Sequence, residues 1–344
     1  MNANNMRNRL LPLLVAILLL IRGVDVMAND SIARVGAGGI TLEKNNHIRM
    51  IKEVLEISTI AIRVHYRFLN ETSQDIRTTV AFPMPPYGWN PGFSNSDENV
   101  RPLASFNIWV DGRKVPTQQN RVALIRGVDA TEKLRKIGLS ESQIFETFGD
   151  CQVNDNQTIK CGLSEVQNAE IARLGGGYAN WKVAETAYWE QVFPAKEEIE
   201  VIHEYQPFTG MSYGMPYQSG HGYVGASIHN AGMEKDLTEV CLDKNTQQAI
   251  SKRVDSLVAK GKTNVWVGLK DVEYILGTGR NWKGPIKEFK LVIKKDAPEQ
   301  IVTLCFPGKP KRTSPTTIEF AHHDFVPQDK LVVYFYSIVG ESKR

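Results

Sequence analysis

The feature that most constrains this chain is an alternation of apolar and polar residues that returns along most of its length. In residues 57–70, Ile60, Ile62, Val64, Tyr66 and Phe68 share one phase, while Ala61, Arg63, His65 and Arg67 share the other. Successive side chains of a strand point to opposite faces, so a period of two predicts a strand with one dry and one wet face. Residues 71–75 turn the chain, and residues 76–82 return it as a second strand closed by Pro83, Pro85 and Pro86. Residues 105–110 lead into Asp111-Gly112, a pair suited to the left-handed backbone of a tight hairpin, and Lys114 begins the partner strand. Alternation resumes in residues 188–194 and again in 199–205, where Ile199, Val201, His203 and Tyr205 share a face. Further strands are expected at 265–276, 289–293, 301–306, 317–320 and 331–339. No repeat of fixed period is present, which excludes solenoids and propellers.

Two interruptions have helical spacing instead. Residues 129–181 carry three short periodic segments that start at Thr131, Ser140 and Ser164, each read as an N-cap, and form a small helical insertion. Residues 245–260 form one longer helix with Ala249, Val254, Leu257 and Val258 as its apolar stripe. Residues 211–232 are rich in Gly, Tyr, Met and Ser, the composition of a long loop or frayed hairpin. A chain of this length and pattern implies a mainly β protein with more than one core. The expected architecture is two antiparallel β-sandwich-like domains, 29–210 with the helical insertion and 211–344 with helix 245–260, divided near Gly210.

The first residues read as a secretory leader. Arg7 and Arg9 precede an apolar run over residues 10–21, and Val26-Met27-Ala28 precedes an expected cut at Asn29. The run is short for a bilayer span, which needs roughly 20 apolar residues, and no later stretch is a better candidate. The alternative is an uncleaved N-terminal anchor. No Cys follows the cut, so no lipid anchor is expected. Loss of residues 1–28 removes three arginines and one aspartate, and the formal charge falls from +3 to about +1. A chain so near neutrality gives no electrostatic case for nucleic acid or an anionic membrane surface.

An exported chain meets an oxidising compartment, the periplasm of a Gram-negative cell or the medium beyond it, where four cysteines favour disulfides. Cys151 and Cys161 bracket a polar loop that a local bridge would close. Cys241 and Cys305 then pair by elimination, although the sequence leaves other connectivities open. A zinc site built on the four thiolates lacks the paired close spacing such sites use.

Residues 64–85, which end in Phe82-Pro83-Met84-Pro85, together with 106–115 and 197–205, resemble the vault/inter-alpha-trypsin (VIT) type of β-sandwich. Over nearly the whole chain after the leader, the sequence is similar to an exported bacterial family described as domain of unknown function 4424. The matching residues include Asn29-Asp30-Ser31, Gly38-Gly39-Ile40, Trp189, Phe193-Pro194, His203-Glu204-Tyr205-Gln206-Pro207, the stretch from Tyr274 to Trp282, and Gly284-Pro285-Ile286. The resemblance implies compartment and fold; it implies no activity.

Chemistry-bearing patterns are sparse. The histidines are His47, His65, His203, His221, His229, His322 and His323, with no metal-ligand spacing among them, and adjacent His322 and His323 on a strand would point to opposite faces. No nucleophile motif, cofactor fingerprint or metal set is present, so no catalytic residue is assigned and no cofactor is expected. The polar-aromatic segment 278–286 presents Arg280, Asn281 and Trp282, which could stack and hydrogen-bond a ligand; equally, Trp282 could plug a domain junction. His203, Tyr205 and Trp189 complete the candidate ligand-binding set, with His203 also readable as a hydrogen-bonded core residue. The favoured function is a noncatalytic binding or assembly module that contacts a protein, peptide or glycan of the envelope. The alternative is an envelope hydrolase with a site near His203, Tyr205 and the loop 213–223.

Overall fold

The computed structural model describes residues 30–36, 39–88, 101–153, 159–175, 181–213 and 241–342. The leader at 1–28, Gly38 and residues 214–232 of the glycine-rich segment lie outside the described residues. The chain is mainly β, and the described residues form three larger sheets and a two-stranded hairpin.

The alternating segments become the strands expected of them. Strand Ile62–Asn70 buries Ile62, Val64, Tyr66 and Phe68, and Glu198–Tyr205 beside it buries Ile199, Val201, His203 and Tyr205. Ile60 lies before the strand and is exposed. Asp111 and Gly112 take φ of 46° and 76°, the left-handed pair of a tight hairpin between Asn107–Val110 and Arg113–Lys114.

The eight-stranded sheet runs in the order Lys311–Ser314, Thr317–Phe325, Ile286–Lys294, Ile48–Ile57, Ile62–Asn70, Glu198–Tyr205, Asn107–Val110, Arg113–Lys114. Its neighbours are antiparallel except Ile286–Lys294 and Ile48–Ile57, which run parallel with Leu291 opposite Leu55. The boundary expected near Gly210 is therefore bridged, because strands from both sides of it hydrogen-bond within one sheet. Alternation reveals which face of a strand is dry but not which distant strand it pairs with. A parallel partner needs a long crossover, and here that crossover contains most of the chain.

A second sheet contains Ser31–Gly36, Gly39–Glu43, Ile76–Pro83, Gln118–Ile125 and Lys182–Phe193; a third orders Thr209–Tyr213, Lys262–Ile275, Lys330–Ser342 and Ile301–Leu304. Inward residues of all three sheets form one apolar core, among them Leu55, Phe68, Phe82, Trp189, Val272 and Phe335. The packing is sandwich-like. The third sheet is dry on both faces: Leu331, Val333 and Phe335 meet the central core, while Tyr334, Tyr336 and Ile338 pack under helix Lys244–Ala259.

Asp243 caps that helix by accepting from Thr246 N, and its buried stripe is Ile250, Val254 and Leu257. Ala249 and Val258, assigned to the stripe from the sequence, are exposed; the dry face is rotated toward Ile250. In the insertion, Ser140 and Ser164 each form a capping box with the glutamine three residues on. Thr131 is not a cap: it is the first helical residue, and its hydroxyl accepts from Ala123 N on the neighbouring strand. Cys151 pairs with Cys161 and Cys241 with Cys305. The second bridge ties the start of helix Lys244–Ala259 to the end of strand Ile301–Leu304.

Two stability measurements test this architecture. Leu291→Ala, which removes a fully buried side chain from the parallel pair, is expected to cost about 3 kcal/mol in urea unfolding, against within about 0.5 for exposed Glu288→Ala. Loop closure predicts that replacing Cys241 and Cys305 by alanine costs roughly 4 kcal/mol, and replacing Cys151 and Cys161 roughly 3, since the bridges span 64 and 10 residues. Equal losses would contradict that ranking.

Candidate functional site

The sequence-derived candidates converge on one place, and it is the interior. His203 projects from the eight-stranded sheet into a cage of Tyr66, Phe82, Phe106 and Trp189, with ring centroids 4.8–5.5 Å away. Its exposure is 0%, and neither ring nitrogen makes a hydrogen bond. Asp30 Oδ1 stands 3.4 Å from Nε2, and Asp30 is equally buried. Buried Glu53 adds a second carboxyl nearby, and the hydroxyls of Tyr66 and Tyr274 meet at 3.0 Å.

Burial decides the protonation of this centre. It lowers the His203 pKa to about 3, and with the negative charge of Glu53 it raises that of Asp30 well above the usual carboxyl range. Both shifts favour the neutral forms of the two groups. Trp189 and Tyr205 are 3% and 2% exposed and belong to the same core. His203 has no exposed surface and packs as part of the core. Most of the loop 213–223 named with it lies outside the described residues.

Segment 278–286 is the clamp that closes this centre. A short 3₁₀ turn, Gly277–Asn281, delivers Trp282 inward, where it is 1% exposed and packs on Phe68 and Phe193 at 4.6 and 5.9 Å. Its indole N–H donates to the Asp30 carbonyl at 2.6 Å, and Asn281 Nδ2 donates to Ser31 Oγ at 2.9 Å. Trp282 and Asn281 thus hold the first strand. Of the two sequence readings of Trp282, the plug is the one that its burial matches.

Arg280, half-buried like Asn281, reaches the surface, donating to the Pro327 carbonyl and pairing with Asp329. It borders an open groove of about 280 Å³ whose walls include Lys44, Pro285, Val326 and Pro327. Val326 is 66% exposed, and Lys44 has no ion-pair partner among the described residues. Beside the groove, hydrogen bonds from Arg49 and Lys283 hold the Glu71 carboxyl down to a pKa of about 2. Among the described residues no group of three or more His, Cys, Asp or Glu could hold a metal ion, and no helix is long and apolar enough to cross a membrane.

The buried acids escaped the sequence reading, although they left a trace. Glu53 is in phase with Leu55 and Ile57, and Glu185 with Val183, Ala187 and Trp189. An ionisable residue in the dry phase of a strand is the signal. Lys44 and Val326 left none, because a groove between distant loops has no local pattern.

The profile of a family described as Domain of unknown function (DUF4424) matches residues 28–334. No curated protein matches the chain. Among solved structures, a candidate nutrient binding protein from Legionella pneumophila subsp. pneumophila str. Philadelphia 1 is 13% identical, with a TM-score of 0.43 over 90% of this chain and 70% of that one. Native yeast LTA4 hydrolase is 9% identical, with a TM-score of 0.29 over 85% of this chain and 29% of that one. At these scores neither likeness bears on function.

The buried imidazole predicts an acid-sensitive fold. The unfolded chain takes the proton near pH 6.5 and the folded chain only near 3, so the stabilising contribution is full above 6.5 and lost as pH falls to 3. The span amounts to about 4–5 kcal/mol. Asp30 acts in the opposite sense, its raised pKa weakening the fold as pH climbs above the ordinary carboxyl range. Denaturation midpoints measured from pH 7 to 3 should therefore fall less steeply for His203→Gln than for the parent; parallel curves would refute the assignment.

Proposed function

The chain belongs to the family described as Domain of unknown function (DUF4424), and from that membership and its surface we propose that it is a noncatalytic binding or assembly module of the cell envelope. The observation that carries the reading is the groove beside Arg280. Exposed Val326 and the flanking Pro285 and Pro327 offer an apolar floor, while Lys44 and Arg280 put positive charge on its rim. An apolar anchor beside cations suits a partner segment that carries one apolar and one acidic side chain. The groove walls contain no nucleophile paired with a base, and His203, on which the hydrolase reading rested, is sealed in the core.

Two disulfides fit an oxidising compartment. They support export after cleavage of residues 1–28, with the periplasm as the working location. The partner is read as an envelope protein or peptide, because a shallow site of this size holds one or two side chains.

A photo-reactive amino acid placed at Val326 tests the proposal in living cells. It should capture a discrete partner that the same probe at exposed Val166, on the helical insertion, does not. Lys44→Glu combined with Val326→Asp should weaken that capture at least tenfold without lowering the melting temperature, and rising salt should weaken binding by the parent. Capture unaffected by the double change would remove the groove from the interface; capture of glycan alone would replace the protein partner.

A further inference from the structure

The geometry points to a second binding site, for a small zwitterion that carries both an ammonium and a carboxylate, in a cavity between the helical insertion and the second sheet. The cavity is about 190 Å³, and its charged walls come from four elements: Arg101 before the short helix Pro102–Ser105, Arg121 on Gln118–Ile125, Glu146 after helix Glu141–Phe145, and Glu185 on Lys182–Phe193. An engineered cavity of about 150 Å³ holds benzene, so this one has room for about six to nine non-hydrogen atoms, the size of a small amino acid.

The charges are segregated by depth. Glu185 lies at the floor and is 1% exposed. Its Oε2 accepts from Leu103 N at 3.2 Å, which uses one of the lone-pair positions of the carboxylate and leaves the group able to accept from a ligand. Burial raises its pKa; the hydrogen bond from Leu103 N, the neighbouring Tyr87 hydroxyl and then the two arginines oppose the rise. Both arginines are partly exposed at the rim. Arg101 donates to Glu146 at 3.0 Å, and Arg121 stands 3.8 Å from the same carboxylate while its guanidinium covers the Phe145 ring at 4.8 Å. Each guanidinium has five N–H donors in a fixed plane, so one shared carboxylate fixes the pair without exhausting it.

Two cations and two carboxylates balance, and the balance selects the ligand. A lone anion drawn to the arginines would lie close to Glu185, and a lone cation drawn to Glu185 would lie beneath the arginines. A molecule with an ammonium a few bonds from a carboxylate meets both ends at once, with the ammonium on Glu185 and the carboxylate on the rim. The insertion thereby acquires a role, since it supplies Glu146 and the ring under Arg121. The site shares no residue with the groove at Arg280, so either can fail without the other.

Calorimetric titration of the purified full chain with alanine, propionate and ethylamine tests the inference. Alanine or another small α-amino acid should bind, and each single-charge analogue should bind at least tenfold more weakly. Glu185→Gln, which keeps the shape of the side chain, should reduce amino-acid binding at least tenfold while circular dichroism is unchanged. Should that variant fold poorly, Arg121→Gln at the solvent-exposed rim provides the same readout. The inference is overturned if no amino acid binds more tightly than both analogues, or if the folded variants bind as the parent does.

Discussion

The hydrogen bond from the Trp282 indole to the Asp30 carbonyl fixes the corner where the three sheets meet. Trp282 is the hinge point of the chain between Lys262–Ile275 of the third sheet and Ile286–Lys294 of the eight-stranded one. Its ring packs on Phe68 of the eight-stranded sheet and Phe193 of the second, and its N–H reaches the residue that opens the first strand. One side chain thus ties the eight-stranded sheet to the second sheet and its first strand. The neighbouring Asn281 repeats the attachment through Ser31 and through its own carbonyl, which accepts from Asn45 N at 2.6 Å. Besides this corner, the first strand is held by its pairings on both sides and by Ile32, which packs into the core.

The same corner closes over groups that a dry interior tolerates poorly. His203 has two ring nitrogens without hydrogen bonds, and the Tyr205 hydroxyl is in the same position. Each such group costs on the order of 1–3 kcal/mol relative to a satisfied one. The aromatic cage around His203 limits the penalty by favouring the neutral imidazole, and burial beside Glu53 pushes Asp30 toward its neutral form. Stability is thereby exchanged for a core whose polar members have a single arrangement available to them.

What the sequence made legible followed from local periodicity. Strand faces, the Asp111-Gly112 hairpin and the serine N-caps at Ser140 and Ser164 each rest on a rule that spans only a few residues, and each has its expected form. The disulfide pairs were reachable because the local loop between Cys151 and Cys161 left one combination over. The bridging of residue 210 was not legible, because pairing between Leu55 and Leu291 depends on a crossover rather than on any neighbouring residue. The candidate ligand residues Trp282, Trp189 and Tyr205 were visible as distinctive aromatics, but side-chain chemistry is the same for a ring that stacks on a ligand and one that plugs a core. Only burial separates the two. Arg280 survived that test because its long side chain reaches solvent past the buried turn that carries it.

The parallel pairing of Ile48–Ile57 with Ile286–Lys294 also sets a timetable. Strand Ile48–Ile57 is made well before its parallel partner, and it gains Ile62–Asn70 as a neighbour at once. Its other edge stays open until Lys294 has been synthesised, since nothing earlier in the chain occupies that position in the sheet. Contacts so distant in sequence are slow to form, and an unpaired hydrophobic edge invites association with other chains while it waits. The sheet is therefore completed only once Ile286–Lys294 and the strands beside it have been made.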